Sequence, residues 1–208
     1  MPQFNLLVAA VESRSRAASA QALVNLYPEV APDGSVTLYS TPGLSLFASV
    51  GFGPVRGLFV NGNVLLAVSG DRVYSVDSTG TATLLGSIGT SSGPVSMAGN
   101  GQQVQLVDGS TTGYVITGSI LQTITDTDFP GGVTNAFIDG FIMFNEHSSG
   151  RVWQGEGYAA DSQDPLKFST AEGAPDDVVS ILADHRELWI FGHDSTEIQY
   201  NAGAAGYS

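Results

Sequence analysis

Residues 55–88, VRGLFVNGNVLLAVSGDRVYSVDSTGTATLLGSI, decide the fold of this chain. They contain four short runs rich in apolar residues, at 55–60, 64–69, 72–77 and 81–88. Asn-Gly-Asn, Gly-Asp and Ser-Thr-Gly separate these runs, and glycine beside Asn or Asp supplies the positive φ angles that tight hairpin turns need. The stretch therefore predicts four antiparallel strands joined in a meander.

The same pattern recurs three times further along the chain. New meanders begin at Val95, Val133 and Val178, at intervals of 38–45 residues, and the first two units both open with Gly-Pro-Val. One meander cannot bury both of its faces, and a period of roughly 40–45 residues with four strands per unit is typical of β-propeller blades. We therefore predict an all-β protein, a β-propeller of four-stranded antiparallel blades or part of one. The alternative is a β-sandwich whose strands are regularly spaced by accident.

The blades occupy residues 53–208, with repeat starts near 55, 95, 133 and 178, and an extended N-terminal segment with edge strands occupies residues 1–52. In that segment we predict strands at 23–26, 36–39 and 44–50 around a polar turn at 32–34. Pro28 and Pro42 lack the N–H that a ladder needs, so these strands should lie at sheet edges. Residues 13–22 form either a solvated segment or an arm that docks on another subunit. The irregular stretch at 155–164 either faces a partner or is a tolerated insertion.

Composition excludes several classes of protein. The 208 residues include 20 acids and only 7 Lys and Arg, for a net charge of −13, so the surface should not bind nucleic acid along its phosphates. There is no cysteine, and therefore no disulfide or thiolate metal site. No run approaches the roughly 18 apolar residues of a membrane span. The apolar residues 4–11 lack preceding bases and make a poor signal peptide.

The polar motifs do not predict a catalytic, cofactor or metal site. Gly-x-Ser-x-Gly, His-Glu-x-x-His and P-loop patterns are missing from the sequence. Three aspartates could supply oxygen ligands to Ca²⁺, but strand-end aspartates more often cap turns. Three glutamates could form a glycosidase pair, but loop carboxylates are usually only solvated. The candidates are Asp126, Asp128 and Asp139 for the metal, and Glu146, Glu156 and Glu172 for the sugar.

The histidines and the aromatic residues also have structural interpretations. Asp184-His185 and His193-Asp194 look like pairs, but neighbours on a strand point to opposite faces, so we expect no interaction. Four aromatic residues lie on alternating apolar strands, where a core position between blades is favoured over a sugar-stacking platform. They are Phe144, Trp153, Trp189 and Phe191.

An ordered series of short motifs carries a family resemblance. It begins with VNLYPE at 24–29, LY at 38–39, TPGL at 41–44 and GPVRGL at 53–58. It continues with LAVSG at 66–70, GPVSMA at 93–98, VDG at 107–109, DF at 128–129 and IDG at 138–140, then AE at 171–172, PD at 175–176, LWIFG at 188–192 and TEI at 196–198. From residue 6 onward the chain resembles the packaged-DNA stabilisation protein of short-tailed phages, also called the tail hub or nozzle.

The resemblance implies a structural virion protein of the phage tail, made in the host cytoplasm, and not an enzyme. Such proteins assemble as a ring, commonly a hexamer, below the portal and its adaptor, where they continue the DNA channel and help to retain the packaged genome. The tail needle or plug and the fibres or spikes attach nearby, and genomic DNA passes without sequence-specific binding. The resemblance implies partner-binding roles for the residues in its first and fourth motifs, namely Asn25, Tyr27, Pro28, Glu29 and Arg56. No cofactor is implied.

Members of the family are longer than this chain, and a fourth unit that stops before its last strand leaves the ring open, so further residues or another subunit must close it. An acidic wall would let DNA slide without sticking. The alternative functions are a carbohydrate-binding or glycan-cleaving propeller for receptor recognition, and a cellular scaffold propeller that recruits peptides.

Overall fold

The computed structural model describes residues 24–171, 173 and 176–201. These residues belong to two compact units, 1–46 and 47–208. All of the regular elements among them are β-strands, and among them there is no helix long and apolar enough to cross a membrane.

The described part of the first unit is one antiparallel hairpin, β1 (Leu26–Val30) and β2 (Val36–Ser40). The chain turns through residues 31–35, where Gly34 has φ +79° and Asp33 Oδ1 accepts the N–H of Ser35 at 2.9 Å. β1 begins three residues later than predicted, because Asn25 adopts φ +57°, which is incompatible with an extended strand. The predicted strand at 44–50 is wrong, because those residues join no ladder.

The second unit contains four antiparallel sheets, each formed by consecutive strands in chain order. Blade 1 comprises β3 (Val55–Asn61), β4 (Val64–Ser69), β5 (Arg72–Val76) and β6 (Ala82–Ser87). Blade 2 comprises β7 (Ser96–Gly99), β8 (Gln103–Val107), β9 (Tyr114–Thr117) and β10 (Ile120–Thr123). Blade 3 comprises β11 (Asn135–Ile138), β12 (Phe141–Asn145), β13 (Arg151–Gly155) and β14 (Gln163–Thr170). In blade 4 the described strands are β15 (Val178–Asp184), β16 (Glu187–Gly192) and β17 (Thr196–Tyr200).

The predicted all-β propeller is confirmed, and its first strands form the inner layer. β3, β7, β11 and β15 each contact the next in chain order, so the blades are joined through their opening strands. The predicted strand positions in blades 1–4 agree with the observed ones to within a few residues, because the glycine-rich turns mark them in the sequence.

Side chains on the two middle inner strands, β7 and β11, alternate between the preceding and the following blade, as strand geometry requires. In β7, Met97 packs into the core shared with blade 1, whereas Ala98 packs against Ile142 of blade 3. In β11, Ala136 packs into the core shared with blade 4, where Ile181 meets it. Every internal junction therefore has an apolar core contributed by both sheets.

The aromatic residues divide between the two faces of their sheets. Phe144 and Trp153 are buried and stacked, with ring centroids 6.5 Å apart, in a core with Val107 of blade 2, which confirms their predicted place. For Trp189 and Phe191 the core position stays a prediction. They alternate with Leu188 and Ile190, which face blade 3, so both aromatic rings point to the opposite face of blade 4.

A buried asparagine joins blades 3 and 4. The Oδ1 atom of Asn145 accepts the backbone N–H and the hydroxyl of Thr134 at 3.0 and 2.6 Å, and its Nδ2 donates to the carbonyl of Val178 at 2.9 Å. The Thr134 hydroxyl oxygen in turn accepts the N–H of Ile181 at 3.0 Å. The Asn145 side chain is fully buried. If it were removed, the groups on Thr134 and Val178 would lose their hydrogen-bond partner, and water could not replace it.

Asn145→Ala should therefore destabilise the second unit by about 2 kcal/mol, through the unsatisfied groups on Thr134 and Val178. Urea unfolding followed by intrinsic fluorescence measures the change. Asn63→Ala is the matched control, because Asn63 is exposed in the β3–β4 turn and should change stability by less than about 0.5 kcal/mol. Equal midpoints for the two variants would contradict the proposed role of Asn145.

Candidate partner-binding surface

Both faces of the β1–β2 hairpin present apolar or aromatic side chains. Tyr27 lies directly opposite Tyr39, and their rings stack with centroids 5.7 Å apart. Glu29 and Thr37 pair on the same face. The opposite face carries Leu26, Pro28, Val30, Val36 and Leu38.

The hairpin exposes large apolar and aromatic side chains to solvent. Tyr27 is 48% exposed and Val30 is 67% exposed. A two-stranded hairpin alone is only marginally stable in water, so a hairpin with apolar groups on two faces gains most from a partner that covers it. Pro28 has no N–H to offer a third strand, which favours side-chain contact over ladder extension at that position.

Asn25 closes the hairpin at its base. Its carbonyl accepts the N–H of Thr41 at 2.9 Å and the Thr41 hydroxyl at 3.2 Å. The structure therefore brings four of the five predicted residues, at positions 25, 27, 28 and 29, into one hairpin. The fifth, Arg56, belongs to the other unit.

Arg56 uses all five of its guanidinium N–H groups within the chain. Its Nε donates to the carbonyl of Gly93, and its terminal nitrogens donate to Gly70, to the carbonyl and hydroxyl of Thr90 and to Ser92, all at 2.7–2.8 Å. These acceptors lie in the β4–β5 turn and in the connection from blade 1 to blade 2. The side chain thus clamps the first two blades, and this geometry leaves no N–H free for a partner.

Arg56→Lys should lower the free energy of unfolding by about 2 kcal/mol, because an ammonium cannot reach acceptors arranged around a planar fork. Chemical denaturation would measure this loss. The control is Arg72→Lys, since Arg72 is exposed and has no such fork of acceptors. If both lysine variants unfolded at the same denaturant concentration, Arg56 would not act as a clamp.

Two of the three aspartates considered for metal binding are hydrogen-bonded or paired within the chain. Asp126 accepts the backbone N–H groups of Asp128 and Gln163 at 3.0 and 2.8 Å, and Asp139 pairs with Arg186 at 3.3 Å. Among the described residues, no group of three or more His, Asp or Glu side chains is arranged to hold a metal ion.

Two of the glutamates considered for sugar chemistry also contact other side chains of the chain. Glu146 accepts the indole N–H of Trp153 at 3.1 Å, and Glu156 pairs with Lys167 at 2.9 Å. Glu172 lies outside the described residues. These contacts give Glu146 and Glu156 intramolecular partners.

The predicted irregular stretch at 155–164 is a brace between blades 2 and 3. Its ends belong to β13 and β14, and its centre folds back onto blade 2. The N–H of Ala160 donates to Gln103 at 3.0 Å, and its carbonyl accepts the Gln105 side chain at 2.9 Å. Because Ala160 is fully buried, most of this loop serves the fold. The side chains of Tyr158 and Asp161 are exposed.

Asp184 and His185 do interact, contrary to the expectation from strand geometry. The strand ends at Asp184, and His185 turns into the left-handed region at φ +46°, followed by Arg186 at +68°. This brings His185 Nδ1 to 2.7 Å from Asp184 Oδ1. The hydrogen bond to Asp184, with the carboxylate charge added, raises the pKa of His185.

The raised pKa of His185 predicts a small pH effect of defined sign. The stabilising pair is fully present below the unfolded-state pKa of about 6.5 and is lost as pH rises through the folded pKa. Asp184→Asn should return the pKa of His185 toward its ordinary value. An NMR titration of the three histidines measures this, with His147 as the internal reference, and an unchanged midpoint for His185 in the variant would contradict the assignment.

Comparison with solved structures supports the fold. The chain is similar to the computationally designed Ika8 protein at 14% identity and a TM-score of 0.56, covering 86% of this chain and 57% of that one. It is similar to the computationally designed Ika4 protein at 13% identity and 0.56, covering 76% and 99%. The Pan2 WD40 domain of Neurospora crassa matches at 11% identity and 0.51, covering 70% and 48%. This chain therefore spans little more than half of the Ika8 chain.

No curated protein matches the sequence. A protein-family model does match it, over residues 6–208, and that model describes the bacteriophage P22 Gp10 β-propeller. The match covers both the hairpin and all four blades, and it agrees with the motif series found in the sequence. The chain belongs to this phage-stabilisation family, the β-propeller proteins that stabilise packaged phage DNA.

Proposed function

We propose that this protein is a hub or nozzle component of a phage tail, which forms a ring below the portal or adaptor, continues the DNA channel and helps to retain the packaged genome. Family membership supports the general role in stabilising packaged DNA. The observation that carries the finer proposal is the β1–β2 hairpin, whose exposed apolar face and tyrosine pair suit a docking arm.

The blades supply the rigidity that such a ring needs. Each junction has an apolar core, and junctions are reinforced by buried or clamped polar groups at Arg56, Asn135 and Asn145. A body of this kind keeps its shape when the genome presses on the channel. The hairpin of one subunit then docks on the portal, the adaptor or a neighbouring copy, and a head-to-tail contact repeated around a closed ring, such as a hexamer, leaves no free end.

The charge distribution suits a channel through which DNA passes without sticking. Of the five described basic side chains, Arg56 is held by carbonyls, Lys167 by Glu156 and Arg186 by Asp139, whereas Arg72 is exposed. Arg151 lies over the ring of Phe168, with the guanidinium carbon 4.7 Å from the ring centroid. Affinity for DNA phosphates comes from free Lys and Arg, which are few in a chain with 20 acids and 7 bases. We therefore propose that the genome passes without sequence-specific binding.

The proposal also places the protein in the virion, beside the tail needle or plug and the fibres or spikes, with no enzymatic role. Cross-linking followed by peptide mass spectrometry of virions of the source phage tests it. We expect a few copies per particle and cross-links from residues 24–46 to the portal or adaptor. Absence of the chain from the particle would refute the proposal.

A variant pair tests the docking role of the hairpin. Val30→Asp should leave the thermal unfolding of the blades unchanged but reduce incorporation into virions in a complementation assay, because it charges the apolar face. Leu166→Asp is the control, because Leu166 is 84% exposed on the outer strand of blade 3 and should leave incorporation unchanged. Equal incorporation of the two variants would show that the hairpin does not dock.

A further inference from the structure

The hairpin formed by β4 and β5 holds the residues just before β3 in place. The Ser69 hydroxyl donates to the carbonyl of Gly53 at 2.9 Å, and the N–H of Gly70 donates to the carbonyl of Pro54 at 3.0 Å. The two backbones lie directly against each other, because a Cβ at Gly53 would be 2.6 Å from the Cα of Gly70. The approach of residues 53 and 54 to blade 1 therefore depends on glycine at position 53.

This anchored backbone presents an aromatic ring to solvent. The Phe52 side chain is fully exposed, and the glycine on its other side is also held, since a Cβ at Gly51 would lie 2.7 Å from Ser69 Oγ. A ligand that covers the Phe52 ring would therefore order little additional backbone. Such preorganisation lowers the entropic cost of binding.

Arg72 is the described cation that the chain leaves available. Each of the other four described Lys and Arg side chains contacts a carboxylate, a set of carbonyls or an aromatic ring. Arg72 is exposed at the start of β5, and its side chain forms no hydrogen bond or ion pair with any residue that the structure describes. Its guanidinium therefore keeps its donors for a ligand.

Phe52 and Arg72 line the same cavity, which has a volume of about 330 Å³. Pro54, Asp71 and Ser91 contribute to the other walls. This volume is near the lower end of the range for ligand pockets, and it suits one or two side chains of a peptide. The walls combine an exposed aromatic ring, a proline, a hydroxyl group and one guanidinium.

We propose that this cavity binds a peptide segment of another protein, with an Asp or Glu carboxylate on Arg72 and a neighbouring apolar or aromatic side chain on Phe52 and Pro54. A guanidinium can donate two parallel hydrogen bonds to a carboxylate, which fixes the orientation of the bound segment. An aromatic ring and a proline supply the apolar contact.

Charge favours an acidic peptide over nucleic acid as the ligand. Asp71 shares the cavity with the single free cation, and the whole chain carries a net charge of −13. A strand of phosphates needs several cations, whereas one carboxylate needs only one. The site belongs to the blades, so the proposal depends neither on docking by the hairpin nor on the role in the phage tail.

An NMR titration of the isotope-labelled chain with the blocked peptide acetyl-Ala-Phe-Glu-Phe-Ala-amide tests the site. We expect shifts centred on the amides of Phe52, Gly70 and Arg72, with a dissociation constant of roughly 1 mM or lower, because few side chains are buried. Phe52→Ser and Arg72→Gln should each weaken binding about threefold or more. Arg186→Gln is the matched control, because it removes one positive charge from a side chain that is 78% exposed, and it should leave binding unchanged.

A second peptide, with Gln in place of Glu, isolates the carboxylate contact. It should bind the wild-type chain about threefold more weakly than the first peptide, but the two peptides should bind Arg72→Gln equally. The amide spectra of the variants check that each is folded. Absence of shifts at these amides in millimolar peptide would overturn the proposal. Tighter binding of single-stranded oligothymidylate than of the acidic peptide at the same amides would also overturn it, and would assign the cavity to nucleic acid.

Discussion

The alternation of side chains along the inner strands is the constraint on which the rest of this structure depends. β3, β7, β11 and β15 lie side by side. The middle strands β7 and β11 send alternate residues into the junctions before and after them, whereas β3 and β15 each contribute to one described junction. The close approach of neighbouring inner strands requires small residues. A Cβ at Gly57 would lie 2.6 Å from the carbonyl oxygen of Val95, and one at Gly99 would lie 3.2 Å from the ring of Phe59. Glycine at these two positions lets neighbouring inner strands pack backbone against side chain.

Polar groups then fix the angle and register between adjacent blades, which apolar packing alone does not determine. Arg56 joins blades 1 and 2, Asn135 joins blades 2 and 3 through Gln105, and Asn145 joins blades 3 and 4. A buried amide is satisfied only in one arrangement of its partners, so each of these side chains selects a single blade orientation. The blades thereby hold one another in fixed orientations, and the exposed hairpin belongs to a separate compact unit, a division that suits the proposed role in the phage tail.

The sequence predicted the propeller because its evidence is local and periodic. Glycine-containing turns and apolar runs repeat every 38–45 residues, and the strands follow from them. The errors arose where a single backbone angle decides the outcome. At Asn25 a φ of +57° makes β1 begin later than predicted. At His185 a φ of +46° turns the chain out of the strand, so that the imidazole contacts Asp184. The sides of Trp189 and Phe191 could not be assigned from the alternating pattern alone, because both faces of blade 4 are apolar. The sequence also did not predict the hydrogen bonds of Arg56, because its partners Thr90, Ser92 and Gly93 lie 34–37 residues away along the chain.

Hydrogen–deuterium exchange of the free chain, followed strand by strand, tests the central claim most directly. The account predicts the slowest exchange in β7 and β11, whose inner-strand amides lie between two packed blades, and rapid exchange in the β1–β2 hairpin, whose faces are exposed. Protection of β1–β2 equal to that of β11 in the free chain would contradict the account. It would mean that the hairpin is part of the rigid body and is not an arm available to a partner.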